Sequence, residues 1–148
     1  MKKLFFLALT IAAFSTLTTA QEFKVITTVE SIVPMGMGRS RMIDNQQLMD
    51  YKKFTTTREE GKDSEQDKIS RADAKVDNLE EAKLLNFYSG VGINFQNIAS
   101  NDALISSKLT DMAKEGWQLI FVTSGVESDS GKDDGKGIFI TRFIFSKK

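Results

Sequence analysis

"AKEGWQLIFVTSG", Ala113 to Gly125, holds the one tryptophan of the chain, Trp117, directly after a glycine. Upstream, "ASNDALISSKLTDMAKEG" places Ile105, Leu109 and Met112 on one helical stripe behind the cap-type residues Ser100, Asn101 and Asp102. Lys114 complements the helix dipole in the last turn, and Gly116 stands where a left-handed residue closes a helix. Downstream, "WQLIFVTSGV" reads as a strand with apolar residues on both faces, Trp117, Leu119 and Phe121 against Ile120 and Val122. The Gly-Trp step therefore has two readings. Trp117 stacks a ligand, or it is the apolar residue beyond a glycine stop that packs back on the last helical turn. The second reading accounts for both residues with one geometry.

The turn "ESDSGKDDGK" leads into a second doubly apolar strand, "GIFITRFIFS", and the two strands are expected to form a hairpin at the centre of a sheet. "EFKVITTVESIV", Glu22 to Val33, alternates as a further strand until Pro34 and the glycines of "PMGMG" end it. "RSRMIDNQQLMDYKKF" has no clean period. From Thr55 to Lys83, 15 of 29 residues are charged, which reads as an insertion, although Ile69, Ala72, Val76 and Leu79 also fall at helical spacing. In "NLEEAKLLNFYSG", Asn78 and Glu81 resemble a capping box, Leu84, Phe87, Tyr88 and Val91 share a face, and Gly90 is a stop; a short helix is expected. The fold class that follows is α+β, a small antiparallel sheet packed on one or two helices, in a single domain over 21–148 with the charged insertion at about 55–83.

The helix, "EGWQLIFV", the polar turn and the closing strand with arginine in "ITRFIF" resemble a small family known as domain of unknown function 4177. The resemblance covers Asn101 to Ser146, with Phe23 to Val33 as a matching first strand. The charged insertion, "NFYSGVGINFQNIAS" and the first twenty residues go beyond the family's short form. The resemblance implies a compact α+β domain and carries no catalytic residues with it.

The opening residues predict export. Lys2 and Lys3 precede an apolar run, "LFFLALTIAAF", and "STLTTA" supplies small residues up to a cleavage point after Ala20. That is the layout of a signal peptide, and the run is too short to span a bilayer. Residues 1–20 are expected to be removed, leaving a chain in the bacterial periplasm or outside the cell with no membrane span. Without Lys2 and Lys3, 18 basic residues stand against 20 acidic ones, which favours neither nucleic acid nor an anionic membrane. The chain has no histidine and no cysteine. That removes His-assisted nucleophiles and zinc sites with His or Cys ligands, and leaves carboxylate, Lys or Tyr chemistry.

Three groups of residues are weighed as sites. Asp129, Asp133 and Asp134 fail the spacing of a calcium loop, because counting from Asp129 puts Gly131 at position three and Asp134 at six; no metal or other cofactor is expected. Arg142 lies in an apolar strand and reads as an ion-pair member, as a strand end reaching solvent, or as an anion-binding group with Arg39 and Arg41 as companions. In "NFYSGVGINFQN", aromatic rings alternate with amides, the mixture that a sugar- or peptide-binding surface uses. The expected ligand residues are Tyr88, Asn94, Phe95, Asn97 and Arg142, set against a scaffold role in which the amides satisfy turns and caps. The expected function is a non-enzymatic binding or interaction module for a protein, peptide or small molecule. The alternatives are a carboxylate-based hydrolase and an assembly component of the cell envelope that forms a homo-oligomer.

Overall fold

A computed structural model describes residues 20–32, 40–127 and 137–148. The expected leader, the Pro34 turn with Arg39, and the hairpin turn with Asp129, Asp133 and Asp134 lie outside the described residues. Five strands form one antiparallel sheet: β1 (Glu22–Ser31), β2 (Arg41–Asn45), β3 (Leu79–Lys83), β6 (Gln118–Val126) and β7 (Ile138–Lys147). Between β3 and β6 lie a two-stranded hairpin, β4 (Tyr88–Ser89) with β5 (Gly92–Ile93), and the helix α1 (Phe95–Lys114). The fold is α+β with the sheet packed on this helix. Among the described residues no helix is long and apolar enough to cross a membrane.

The order across the sheet is β3-β2-β1-β7-β6. β1 and β7 pair over ten residues, from Glu22 opposite Lys147 to Ser31 opposite Ile138. Chain order runs from β3 at one edge to β6 at the other, so α1 must carry the chain over the sheet. Its 20 residues give a length of about 30 Å, enough to pass over five strands spaced about 4.8 Å apart. The core under it is small: Ile26, Met42, Leu84, Met112 and Phe145 are buried, and Ala82, Leu109, Trp117 and Phe143 pack against them.

Several expectations change. The β6–β7 hairpin forms, but β7 is interior while β6 is an edge, because β1 takes the other side of β7. The expected helix at Asn78–Gly90 is a strand followed by the small hairpin. Leu79–Lys83 pairs with Asn45–Arg41, an interaction with a distant partner that its helical spacing cannot reveal. The charged insertion is therefore shorter than 55–83, since 79–83 belongs to the sheet. No α-helix forms on Ile69, Ala72, Val76 and Leu79; the segment has one 3-10 turn, Gln66–Lys68, and another, Tyr51–Phe54, lies just before it. α1 starts at Phe95, before the expected Ser100–Asp102 cap. Asn94 is extended (φ −112°) and its side chain accepts the Asn97 amide at 3.1 Å.

The C-terminal end of α1 matches its expected geometry. Gly116 has φ +87°, its amide donates to Ala113 O at 3.0 Å, and the Trp117 amide donates to Met112 O at 3.0 Å. This is the paired hydrogen-bond closure of a glycine-stopped helix, with Trp117 packed against the core that contains Met112. Lys147 Nζ lies 5.6 Å from the centre of the Trp117 ring. The tryptophan is a joint.

Candidate functional site

The aromatic-amide segment is largely scaffold. Asn94 caps α1, Asn97 Nδ2 donates to Asn86 O at 2.8 Å, and Asn86 Oδ1 accepts from Ser40 Oγ at 2.7 Å. Tyr88 is half-buried in β4 opposite Ile93. These bonds close the turn between the small hairpin and the helix and leave the amides committed to the chain itself. Phe95 differs, since 76 % of its surface is exposed. Arg142 is not part of this group. The hairpin packs on the helix side, where the Phe87 and Phe139 rings meet at 5.8 Å, whereas Arg142 projects from the opposite face.

Side chains alternate across a strand, so register assigns each residue to a face. Toward α1 point Ile26 and Thr28 of β1, Met42 and Asp44 of β2, and Phe143 and Phe145 of β7. There Asp44 takes Lys24 Nζ at 2.9 Å and Lys108 Nζ at 2.6 Å. Burial opposes the charge of Asp44, but the two ammonium groups outweigh it and hold the carboxyl below the ordinary carboxylate range. Burial likewise opposes the charge of Lys108, and Asp44 overrides it and raises the amine. These pairs tie helix, β1 and β2 together.

A half-buried carboxylate on this side is Glu30, raised by its partial burial and only partly relieved by the amide of Asn101, which donates to it at 2.9 Å. Asn101 also brackets Leu85, accepting its amide at 2.7 Å and donating to its carbonyl at 2.8 Å. A two-carboxylate hydrolase would need its acids within about 5–9.5 Å. Asp44 lies opposite Ile26, and Glu30 is four residues further along β1, which at about 3.3 Å per residue sets them roughly 13 Å apart; the carboxylate nearer to Asp44 is Glu80, its cross-strand partner on β3, which is exposed. Asp44 and Glu30 are also each engaged by their own partners. Among the described residues no group of three carboxylate, histidine or cysteine side chains comes together as a metal would need.

The opposite face has no covering element among the described residues. One row crosses all five strands: Glu81, Ile43, Thr27, Arg142 and Thr123. The next row on one side holds Val25, Ile144 and Phe121, and on the other Arg41, Val29, Ile140 and Gly125. Beyond Val25 sits Phe23. Phe23 is 58 % exposed, Phe121 59 % and Val25 40 %. The β3 side of this face is charged, with Arg41 bound to Glu81 at 2.6 Å, so Arg41 is not free to accompany Arg142. Among the described residues no ion pair engages Arg142. The face thus offers one unpaired guanidinium framed by two threonines, Thr27 and Thr123, inside an apolar field.

Of the expected ligand residues, only Arg142 lies in this arrangement; Phe23, Val25, Phe121 and Ile144 join it through the strand register. The signal available in the sequence was the apolar character of both faces in β6 and β7. One helix covers the β1, β2 and β7 part of one face, so the apolar residues of the other face, and Val122 and Val126 of β6, stay exposed or meet a partner. Comparison of the chain with protein-family models, with curated proteins and with solved structures finds no match.

Proposed function

We infer that this protein is an exported, non-enzymatic interaction module whose working surface is the open face of the sheet around Arg142. The observation that supports this most is the uncovered apolar field itself. A solvent-exposed antiparallel face ordinarily alternates to polar residues, whereas Phe23, Val25, Phe121, Ile140 and Ile144 are apolar. The chemistry of the field favours a protein or peptide with apolar groups arranged about a carboxylate. The carboxylate would pair with the guanidinium, and its surroundings would exclude water from the pair. The resemblance of Asn101–Ser146 to the domain of unknown function 4177 family belongs to the same proposal and supplies no catalytic residue. The layout of residues 1–20 supports delivery to the bacterial periplasm or the cell exterior.

The test is co-purification from the native envelope with Val25→Asp and Arg142→Ala, beside Leu48→Asp as a control at a residue 97 % exposed and outside the sheet. Both face variants are expected to lose the co-purifying partner while melting within a few degrees of the parent. Retention of the partner by both would rule out this face as the binding surface. N-terminal sequencing of the same material is expected to begin at Gln21.

A further inference from the structure

The two edges of the sheet are built differently. At the β3 edge, Leu79–Lys83 is short and carries Glu80, Glu81 and Lys83, the charges that discourage another strand from pairing. At the β6 edge, nine residues from Gln118 to Val126 carry no charge and no proline. Leu119, Ile120, Phe121, Val122 and Val126 are between 41 % and 60 % exposed there. An irregularity between Leu119 and Phe121 interrupts the pairing with β7, which leaves Phe121–Val126 as the regular stretch. One side of β7 is taken by β1 and the other by β6, and among the described residues no strand lies beside the outer backbone groups of β6. Such an edge matches one kind of partner, another extended, uncharged strand.

We propose that this partner is β6 of a second copy, paired antiparallel about a two-fold axis through Thr123. A two-fold perpendicular to the sheet keeps faces matched, so paired residues must share a face. Centring on Thr123 sets Phe121 of each copy opposite Gly125 of the other, and Val122 opposite Ser124. The Phe121–Gly125 match selects this register. Phe121 is 59 % exposed on the open face, and nothing lies within 4 Å of where a Cβ on Gly125 would stand. A phenyl ring laid across a strand glycine fills that space, and the two-fold makes the contact twice. The absence of charge along β6 removes any repulsion between identical strands. The product is a ten-stranded sheet with both helices on one side and the two open faces continuous on the other. Six regularly paired residues fall short of the roughly 800 Å² per partner of a standard interface, so association in the micromolar range follows. The pairing shares Phe121 and Thr123 with the field around Arg142, but it rests on the β6 edge and not on what that field binds.

Sedimentation of the purified full chain between about 1 and 100 µM tests the proposal, since micromolar affinity predicts a shift from monomer to dimer across that range. Val122→Lys/Ser124→Lys and Val122→Glu/Ser124→Glu each place like charges opposite each other on both sides of the axis, beside the uncharged Phe143 and Thr141 of β7, and each is expected to be monomeric throughout with unchanged circular dichroism. Mixed in equal amounts, the two are expected to form a heterodimer. A parent protein monomeric at the highest concentration would overturn the proposal and assign the edge to a strand of a different protein. Dimers that persist in either variant alone would overturn it in favour of another surface or of the apolar leader. A mixture that stays monomeric would overturn the pairing about Thr123.

Discussion

Gly116 shows how one residue sets the course of the chain. Its φ of +87° belongs to the left-handed region, where a Cβ is disfavoured, and the nearest atom to an added Cβ is Lys147 Cε at 3.6 Å. The contact is ordinary, so the cost of Gly116→Ala is conformational and comes to about 1 kcal/mol. Trp117→Ala removes a half-buried ring and is expected to cost roughly 2–3 kcal/mol, below the range for a fully buried one. Urea denaturation of both variants checks this; unchanged stability in both would return Trp117 to consideration as a ligand-stacking group. The glycine stop was legible because its determinants lie within a few residues of one another. Asn101 was not. It reads as an N-cap, yet it is fully buried within α1 and brackets Leu85 while bonding Glu30, 71 residues away. Local sequence carries no sign of a partner at that distance.

At the scale of elements, β3 and the excursion before it divide a stretch whose composition is uniform. Leu79–Lys83 is anchored by its ladder to β2 and by the Arg41–Glu81 pair. Between Gln47 and Asp77 the backbone hydrogen bonds are short-range ones such as Lys53 to Asp50 and Lys68 to Glu65, and most side chains are exposed. Local opening is therefore easiest there. Limited trypsin digestion is expected to cut first at Arg58, Lys62, Lys68, Arg71 or Lys75, and to spare Lys83 and the β6–β7 ladder. Early cleavage after Lys83 would show that β3 is not held as described. Strand β1 and the β6–β7 hairpin were readable from their β-branched and aromatic content. β3 was not, because an edge strand with one outward face tolerates the Glu- and Lys-rich composition that also suits a helix.

For the whole molecule, the Asp44 cluster joins helix to sheet and sets the response to acid. The folded-state carboxyl lies below its unfolded value, so its contribution is complete above about pH 4 and is lost as pH falls through the lowered value. Glu30 acts in the opposite sense. Its raised value means that protonation relieves its burial, which offsets part of the acid loss. Asp44→Asn is expected to destabilise at pH 7 by about 3 kcal/mol or less, because Lys24 and Lys108 keep some access to water and can turn toward it. The same variant should lose less stability than the parent between about pH 4 and 2. Thermal melts across that range decide it, and parallel losses in both proteins would assign the acid sensitivity elsewhere.

The sequence by itself determined the α+β class, the glycine-stopped helix leading into β6, the hairpin with β7 and the strand character of Glu22–Ser31. Each is encoded by periodicity, branching or a cap within a short window. Only the tertiary structure decided which strand lies at the centre, that Leu79–Lys83 joins the sheet, and that α1 covers one face alone. Strand order and register arise from pairing between residues far apart in the chain, and one residue of slip exchanges the two faces. The exposed field around Arg142 and the uncharged β6 edge are products of that pairing, and they exist only once the strands have taken their places.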